Sequence, residues 1–518
     1  MNSMSILEIR NLTHRYDDRY LFQNASLQIN NGEHLGIVGL NGAGKTTFIN
    51  IIAGKLSQDD GEVLRQHNAR WGYLDQHADI DRNQTVMEYL RHAFDYLYEL
   101  NDKLEEIYLK MGETEDADEL DRLVNKSSRM QETLDNAGFY DLDSKIKKVA
   151  GGLGVHNFGY DTLIGRLSGG ERAKLMLSKL LLEEVDVMLL DEPTNFLDIE
   201  HIEWLKKYLN GYKKTFMVIS HDTAFLDSVC KFIINIENGN IKKYSGNYST
   251  FIVQRDMNAK QYEEDYLRQQ AEIKKMQDYI DKNKARAATA GMANSRKKML
   301  DRIEVMQKPM TVHDATFSFP YIPVNSKDFL IVKGLEVGYD KTLIPPIDLH
   351  LKSTDKLWIR GTNGVGKTTL IKTLLRKIHA LNGNFLFHLS AKPAYLEQEL
   401  NFENNTLNAM IYFNGKFPRL NQKEQRSELA KVGLKGDLAT KPIKDLSGGE
   451  QVRIKLALLN NTPSNVLILD EPTNHLDVRA KEALKKALIE YEGAIILVSH
   501  EHDFAGEICN IIFDAKTK

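Results

Sequence analysis

The sequence predicts an α/β protein made of two copies of one domain, joined by a helical hairpin. A glycine-rich octapeptide, Gly-x-Asn-Gly-x-Gly-Lys-Thr, occurs twice, and its lysine recurs as Lys45 and Lys367, an offset of 322. Later motifs recur at an offset of 279, as Asp191 and Asp470 do. A chain of 518 residues is also too long for one hydrophobic core, since domains hold roughly 100–200 residues each. These observations together indicate about three units.

The composition excludes several classes of protein. The apolar fraction of 42% and the charged fraction of 27% are typical of globular domains. Cys230 and Cys509 are the only cysteines and are 279 residues apart, so we expect reduced core thiols at matched positions rather than a disulfide or metal ligands. No run approaches the ~18–20 apolar residues of a membrane span, and residues 1–10 lack a signal-peptide pattern. The sequence therefore predicts a cytoplasmic protein without a membrane segment.

Two segments outside the repeat carry opposite charges. The first copy holds 43 residues more than the second between Gln76 and Ser168, which is the difference between the offsets of 322 and 279. Within that excess, residues 99–120 hold nine acidic residues against two lysines. Residues 284–308, between the copies, hold seven basic residues against two acidic ones. The net charge of −4 conceals this separation, and the basic segment is a candidate surface for nucleic acid.

Each glycine-rich octapeptide lies between an apolar run and a helix-like stretch. The apolar runs are residues 35–38 and 356–359. This order is that of a P-loop, in which backbone N–H groups and a helix N-terminus surround phosphates and the lysine reaches the terminal ones. The predicted phosphate-binding residues are Gly39, Asn41, Gly42, Gly44, Lys45, Thr46 and Thr47 in the first copy and Gly361, Asn363, Gly364, Gly366, Lys367, Thr368 and Thr369 in the second.

Two further apolar runs, residues 187–190 and 466–469, end in an Asp-Glu pair. A buried strand that ends in carboxylates needs a partner for their charge, and Mg²⁺ bound with the nucleotide phosphates would supply one. The predicted metal ligands are the hydroxyls of Thr46 and Thr368 and the carboxylates of Asp191 and Asp470. Glu192 and Glu471 then remain to orient or deprotonate water. The alternative is a strand that simply ends in an acidic turn, which is common for a single pair.

A Leu-Ser-Gly-Gly-Glu sequence opens a predicted amphipathic helix in each copy. Ser-x-x-Glu alone predicts a capping box. The two glycines in addition leave the helix N-terminus bare, so that its N–H groups could receive a phosphate carried by another domain. The residues concerned are Ser168, Gly169 and Gly170 in the first copy and Ser447, Gly448 and Gly449 in the second.

The order of these motifs resembles that of ATP-binding cassette (ABC) ATPases, which share a P-loop, a glutamine loop, a Leu-Ser-Gly-Gly-Glu signature, the Asp-Glu strand end, an Asn-x-Leu-Asp turn and a Ser-His pair. The resemblance implies that two cassettes sandwich two ATP molecules, each held by one P-loop and the other cassette's signature. Site one would combine Lys45, Thr46, Gln76, Asp191, Glu192 and His221 with Ser447 and Gly449. Site two would combine Lys367, Thr368, Gln398, Asp470, Glu471 and His500 with Ser168 and Gly170. Gln76 and Gln398 would be further Mg²⁺ ligands, and His221 and His500 would contact the terminal phosphate during catalysis.

Some aromatic positions leave alternatives open. Tyr16 and Tyr339 lie upstream of the glycine loops, where this family places an aromatic residue against adenine, but either could be a half-buried strand tyrosine. The Asn-x-Leu-Asp turn has Phe196 in the first copy and His475 in the second. This difference leaves open whether the two sites hydrolyse ATP at equal rates.

The basic segment between the copies is predicted to be an antiparallel helical hairpin. Apolar residues recur at helical spacing from about residue 249 to 286, a turn is expected around Gly291, and a return helix over residues 294–308 ends before Pro309. Such a hairpin could be a solvated spacer or coiled coil. Alternatively, the hairpin binds RNA, and its basic residues contact the phosphate backbone. The predicted RNA-binding residues are Lys284, Arg286, Arg296, Lys297 and Lys298.

Tandem cassettes joined by a basic helical hairpin resemble the ABC-F group of translation factors. The resemblance implies a ribosome partner, with the hairpin entering the exit site, next to ribosomal RNA, and reaching the acceptor stem of the peptidyl-site tRNA. The excess of the first copy, at about residues 92–136, falls where this group carries an arm toward the ribosomal stalk protein and exit-site tRNA. Because the segment is acidic, we expect either a basic ribosomal protein as its partner or a solvated helical insertion.

The resulting domain plan is a first ABC ATPase domain at residues 1–245, a hairpin linker at 246–325 and a second ABC ATPase domain at 326–518. The predicted function is an ATPase that binds the ribosome as a monomer, with ATP closing its cassettes and hydrolysis releasing it. The alternatives are an ABC-F protein that displaces antibiotics from the ribosome and the ATPase subunit of a transporter. Ribosome-recycling ABC proteins need an iron–sulfur domain, which two cysteines cannot supply. The short hairpin tip favours a factor that assists translation itself.

Overall fold

The computed structural model describes residues 5–16, 19–40, 42–74, 80–114, 116–237, 239–283, 290–306, 308, 315–324, 328–362, 364–398, 400–474 and 476–515. The strands of the first half are β1 (Ser5–Tyr16), β2 (Arg19–Asn30), β3 (His34–Val38), β4 (Asp60–Arg65), β5 (Trp71–Leu74), β6 (Val187–Asp191), β7 (Thr215–Ile219), β8 (Phe232–Glu237) and β9 (Asn240–Ser245). Its helices are α1 (Lys45–Ala53), α2 (Val86–Arg91), α3 (Asp95–Glu113), α4 (Ala117–Ala137), α5 (Leu142–Gly152), α6 (Gly169–Leu182), α7 (Ile199–Gly211) and α8 (Thr223–Val229).

A mostly parallel sheet forms the centre of the first half. Its strand order is β5-β6-β7-β3-β8-β9, and only the edge strand β9 runs antiparallel to its neighbour. Both faces of the sheet are covered, because Val187 and Leu189 of β6 pack into one apolar core while Met188 and Leu190 pack into the other. This two-sided burial explains why β6 reads as a continuous apolar run rather than an alternating one. A separate antiparallel sheet, in the order β2-β1-β4, contributes to the core on one face.

The excess residues of the first half form an arm. Its two helices are α3 and α4, which pack against each other, and α4 ends one residue past the segment predicted for the arm. Leu104 and Leu134 are buried between them and continue the core of the cassette. The outer faces remain in contact with solvent, since Tyr108 and Leu109 near the far end of α3 are exposed. The arm is therefore anchored by an apolar seam and presents an acidic surface.

The helices of the hairpin are α9 (Tyr248–Asn283) and α10 (Ala290–Leu300). We expected a turn around Gly291, and this prediction was wrong, because Gly291 lies in the first turn of α10. Backbone N–H groups in the first turn of a helix have no hydrogen-bond partner within the helix. The return helix also ends at Leu300 rather than at residue 308. The side-chain amide of Gln269 in α9 donates to Glu304 O (2.9 Å) and accepts from Met306 N (2.8 Å), which holds this stretch outside the helix.

The second half repeats the first. Its strands are β10 (Asp328–Glu336), β11 (Ile347–Lys352), β12 (Lys356–Arg360), β13 (Asn382–Phe387), β14 (Pro393–Leu396), β15 (Val466–Asp470), β16 (Ala494–Val498) and β17 (Ile511–Asp514). Its helices are α11 (Lys367–Leu374), α12 (Ala409–Lys416), α13 (Gln422–Lys431), α14 (Gly448–Asn460), α15 (Val478–Glu490) and α16 (His502–Ile508). The strand orders β14-β15-β16-β12-β17 and β11-β10-β13 match those of the first half, except that the described residues of the second half contain no counterpart of the edge strand β9. The α/β class and the tandem repeat are confirmed.

The two cysteines lie in or near the apolar cores. Both are free thiols, with Cys230 buried and Cys509 partly buried. Within the described ranges, the structure contains no helix that is long and apolar enough to cross a membrane.

Candidate active sites

The lysine of each glycine loop is folded back over its own loop. Lys45 Nζ donates to the main-chain oxygens of Gly39 (3.0 Å) and Leu40 (3.3 Å). Lys367 Nζ makes the same pair of bonds, at 2.8 and 3.0 Å, to the oxygens of residues 361 and 362. Burial lowers the pKa of both lysines, and nearby carboxylates oppose that effect. Each ammonium group therefore lies in a partly desolvated site that favours an anion beside it.

The glycines of the loop are required by close contacts and by backbone conformation. A Cβ at Gly39 would lie 2.4 Å from Ile236 O, and one at Gly361 would lie 2.5 Å from Ala515 O. Gly44 starts α1 with a φ of 95°, in a region that other residues rarely adopt. The loop therefore approaches the neighbouring strand ends closely and directs the N-termini of α1 and α11 into the site. Asn41 and Asn363 lie outside the described residues.

Hydroxyl, carboxylate and amide oxygens meet where β15 ends. Thr368 Oγ1 donates to Asp470 Oδ2 at 2.8 Å and lies 3.4 Å from Gln398 Oε1. Asp470 is buried, and its Oδ1 has no hydrogen-bond partner among the described residues. Clustered oxygen ligands with one unused carboxylate oxygen fit a small, hard divalent cation, with phosphate oxygens completing its shell. Thr46 and Asp191 occupy the matched positions in the first half, and Gln76 lies outside the described residues.

A glutamate and a histidine face each other in each half. His221 N donates to Glu192 Oε2 at 3.2 Å, and its Nε2 lies 3.4 Å from Oε1. The matching distances for His500 and Glu471 are 3.4 and 3.1 Å. Both glutamates have a left-handed backbone, with φ of 48° and 52°. Burial raises the pKa of both glutamates to about 7, which is where a general base at neutral pH is effective.

His500 differs from an ordinary surface histidine. Its Nε2 lies 3.3 Å from Lys367 Nζ. Burial, and then the charge of Lys367, lowers the pKa of His500 to about 4. The ring is therefore neutral at physiological pH, and it can hydrogen-bond a phosphate or a water without adding a second charge to that of the lysine.

The signature sequences start α6 and α14 as the capping boxes that the sequence predicted. Ser168 Oγ accepts from Glu171 N at 3.3 Å while the Glu171 carboxylate accepts from Ser168 N at 2.7 Å. Ser447 and Glu450 form the same box. A Cβ at Gly169 would meet no atom within 4 Å, so this helix N-terminus faces open space. The first signature therefore leaves the backbone at Gly169 uncovered, while Phe196 lies beside Gly170.

One cavity of about 2070 Å³ runs between the two halves. Single ligand pockets enclose roughly 300–1,000 Å³, so this space is large enough for two nucleotides. Both P-loops and both signatures line it. Its walls include the predicted residues Gly42, Gly44, Lys45, Thr46, Thr47, Ser168, Gly170, Asp191, Glu192, His221, Gly364, Gly366, Lys367, Thr368, Thr369, Gln398, Ser447, Gly448, Gly449, Asp470, Glu471 and His500. Tyr16 and Tyr339 lie outside these walls and are 71% and 63% exposed.

Two basic residues in the signature helices were not predicted. Lys174 Nζ donates to Asp198 Oδ2 at 3.2 Å, and Arg453 pairs with the matching carboxylate of Asp477. These aspartates end the Asn-x-Leu-Asp turns. Burial lowers the pKa of each P-loop lysine, and the charge of the aspartate from the opposite half is among those that oppose this lowering. The sequence carried a signal for this pairing, because Lys174 and Arg453 are 279 residues apart.

The hairpin residues predicted to bind RNA differ in their surroundings. Lys297 and Lys298 on α10 are exposed. The Arg296 guanidinium lies 3.7 Å from the centre of the Tyr279 ring, so it stacks within the hairpin. Lys284 and Arg286 lie outside the described residues. The hairpin thus presents two exposed lysines on its return helix.

The base of the hairpin touches the second half. Tyr248 and Arg255 of α9 line a small cavity of about 60 Å³ together with Asp477 and Arg479. Burial raises the pKa of Tyr248, and the charges of Arg255 and Arg479 oppose that rise. The Asn-x-Leu-Asp turn of the second half, whose Asp477 acts on Lys45, therefore also packs against the start of the hairpin.

The sequence matches family models and known proteins along most of its length. A family model described as ABC transporter matches residues 22–195 and 344–474, and a second model with that description matches residues 234–319. The Bacillus subtilis ABC transporter ATP-binding protein YfmM is 42% identical over 98% of this chain and 97% of its own length. ABC transporter F family member 5 of Arabidopsis thaliana is 31% identical over 98% of this chain and 75% of its own.

Solved structures share the fold. An archaeal ribosome recycling factor, aABCE1, crystallised with the ribosomal stalk protein aP1, matches with a TM-score of 0.60. The match covers 98% of this chain and 88% of that one at 18% identity. The similarity in fold therefore covers both halves of the chain.

Proposed function

The chain belongs to the ABC-F family of ATP-binding cassette proteins and is therefore an ATPase, and from this we propose that it is an ATP-dependent factor that binds the ribosome during translation. The observation that carries the proposal is the shared cavity, which both P-loops and both signatures line. Two ATP molecules bound there would hold the halves together. Hydrolysis would remove that connection and release the protein from its partner.

The roles of the site residues follow from their chemistry. Lys45 and Lys367 bind the terminal phosphates, the N-termini of α6 and α14 bind them from the opposite half, and Glu192 and Glu471 accept a proton from the attacking water. Tyr16 and Tyr339 are proposed to stack on adenine, for which their exposed rings are accessible. Asn41, Asn363 and the loop glycines shape the phosphate cradle.

The oxygen cluster beside each P-loop fits Mg²⁺. Thr46, Gln76 and Asp191 would hold it in site one, and Thr368, Gln398 and Asp470 in site two. When bound, the metal neutralises charge on the phosphate oxygens. The described residues contain no cluster of three His, Cys, Asp or Glu side chains that could hold a metal without the nucleotide. The protein's own part is to orient the hydroxyl and carboxylate oxygens, as Thr368 does for Asp470.

The hairpin is proposed to contact tRNA and ribosomal RNA. Its exposed lysines provide the charge, and cations that neutralise RNA phosphates are the main source of affinity in such contacts. The acidic arm is proposed to contact a basic ribosomal protein, the stalk included. One fold relative, aABCE1, was crystallised with a stalk protein, which supports the choice of the stalk as a partner to test for the arm. The described helices of the hairpin are separated by six residues, a short tip that favours a role in translation itself over antibiotic displacement.

When nucleotide brings the two halves together, the movement would affect the hairpin through the base of α9. Asp477 contributes to site one, and the same turn packs beside Tyr248 and Arg255 of α9. Bringing the halves together would therefore set the position of α9. We propose that the protein acts as a monomer in the cytoplasm, with residues 1–245 and 326–518 as cassettes and 246–325 as the linker.

The test is co-sedimentation of the double variant Glu192→Gln and Glu471→Gln with ribosomes. The variant keeps the shape of the sites but loses the proton acceptors, so it is expected to sediment with ribosomes when ATP is present and to remain in the supernatant with ADP. The wild-type protein, which hydrolyses ATP, is the control and is expected to sediment less. Recovery of the variant in membranes with an apolar partner, and not on ribosomes, would favour a transporter subunit instead.

A further inference from the structure

A hydrogen bond joins the two halves beside site one. Lys481 Nζ, on α15 of the second half, donates to the main-chain oxygen of His221 in the first half at 3.2 Å. The same ammonium group donates to Glu501 Oε1 in its own half at 2.6 Å. Lys481 is only 8% exposed, and a buried ammonium group is stable only where acceptors surround it. The lysine thus depends on an acceptor from each half.

The His221 main chain connects Lys481 with the predicted proton acceptor of site one. While His221 O accepts from Lys481, His221 N donates to Glu192 Oε2 at 3.2 Å. The His221 ring lies against the other carboxylate oxygen at 3.4 Å. A displacement of the His221 carbonyl group therefore also displaces the His221 N–H group, which holds Glu192 in place.

The matched position in the first half cannot make this contact. The repeat offset of 279 pairs Lys481 with Ile202, and His221 with His500. The Ile202 side chain has no donor, and it packs against the apolar core of its own half. The second site therefore lacks a cation at this position that could bond to His500 from the opposite half.

The charge of Lys481 also acts on Asp222, the residue after His221. Burial and the charge of Glu501 raise the pKa of Asp222, while the charge of Lys481 opposes that rise. The isoleucine at the matched position in the first half carries no charge that could act in this way.

We propose that Lys481 is a positioning residue that completes site one only when the halves meet, and that it makes the two ATP sites unequal in turnover. The inference rests on the proposed function, since it takes Glu192 and Glu471 as the groups that receive the proton. Lys481 acts through the backbone of His221 and does not touch the nucleotide itself.

The first experiment measures ATP hydrolysis at each site separately. Lys481→Met is introduced into the Glu471→Gln background, which leaves site one able to hydrolyse ATP, and into the Glu192→Gln background, which leaves site two. Loss of a hydrogen bond from a charged donor corresponds to about a tenfold change, which is the decrease in kcat expected at site one, with KM little altered. Site two is expected to change less than about twofold, within the spread of neutral surface substitutions. Lys481→Arg should restore part of the rate at site one.

Lys485 supplies a matched control. It lies one turn further along α15 and forms ion pairs with Glu482 and Glu507 of its own half. Lys485→Met removes a cation of the same helix without removing the bond to His221, so both sites should keep their rates. Equal slowing of the two sites by Lys481→Met, or no slowing of either, would overturn the proposal.

A second measurement is independent of which glutamate accepts the proton. Hydrogen–deuterium exchange with and without MgATP is followed in peptides that cover residues 219–226 and 498–505. In the wild-type protein ATP should protect both, and Lys481→Met should remove the protection of the first while sparing the second. Unchanged protection of residues 219–226 would contradict the role of Lys481. Full ATPase activity in the Glu192→Gln and Glu471→Gln double variant would instead contradict the proposed roles of the glutamates and leave the exchange result to decide on Lys481.

Discussion

At the residue scale, the two glutamates that follow the acidic strands are held in a conformation that they would not adopt alone. A left-handed backbone at a residue other than glycine costs of order 1–3 kcal/mol and persists where surrounding contacts enforce it. At Glu192 the contacts are the main-chain bond to Ile219 O and the His221 N–H, at 2.9 and 3.2 Å. The strain therefore keeps the carboxylate turned toward the cavity rather than toward solvent.

The cysteines give a prediction at the same scale. Burial raises the pKa of Cys230 far above its usual value and that of Cys509 to about 12. Since the thiolate is the reactive form, both thiols should resist a thiol-specific reagent at pH 8 in the native protein. Denaturation should release both at once. The number of thiols titrated before and after adding denaturant measures this, and fast labelling of Cys230 in the folded protein would contradict the packing of β8 and α8 around it.

The sequence indicated which residues form the candidate sites, but it did not indicate all the contacts between them. The lysines, threonines, aspartates and glutamates could be predicted because each motif occurs twice in a fixed order. The contact between Lys481 and His221 could not, because the lysine has no polar counterpart at Ile202 and the partner atom is a main-chain oxygen. A contact between distant parts of the chain can be recognised from a single sequence only when both partner residues recur at matched positions of the repeat.

At the scale of elements, the hairpin was predicted from helical periodicity, and its ends were not. Periodicity continued past Leu300, with Ile303 and Met306 on the same face as earlier apolar residues. The chain nevertheless leaves the helix there, because Gln269 bonds to the backbone of Glu304 and Met306. A glutamine side chain that takes the place of helical hydrogen bonds cannot be recognised without the packing of α9 against the return segment of the hairpin.

The charge on α10 gives the prediction at this scale. Lys297→Gln with Lys298→Gln should weaken ribosome binding and reduce the slope of log affinity against log salt by about 0.7–0.9 for each phosphate that the protein no longer neutralises. Arg296 is left unchanged, because its stacking on Tyr279 would confuse a binding effect with a change in hairpin stability. The measurement is a binding titration at several salt concentrations.

The arm supplies the control for that titration. Lys103→Gln with Lys110→Gln removes two cations from the acidic arm, where no contact to phosphate is proposed. The slope should therefore stay as it is in the wild-type protein. An equal slope in the α10 variant and the wild-type protein would contradict the RNA-binding role of the hairpin.

At the scale of the whole molecule, the repeat itself was the most reliable prediction. Matched offsets of 322 and 279 indicated two tandem cassettes, because duplicated motifs record the duplication of the fold. How the halves face each other depends on contacts that the repeat does not specify. Asp198 and Asp477 reach across in both directions, whereas Lys481 reaches across in only one of the two matched positions.

The central claim is that ATP holds the halves face to face. The most direct measurement is the distance between spin labels at Lys207→Cys and Lys486→Cys, which are matched exposed positions on α7 and α15. The buried native thiols should not take up label. In the Glu192→Gln and Glu471→Gln background, double electron–electron resonance should give one short, narrow distance distribution with MgATP and a longer, broader one without nucleotide. A distribution that ATP leaves unchanged would contradict the account.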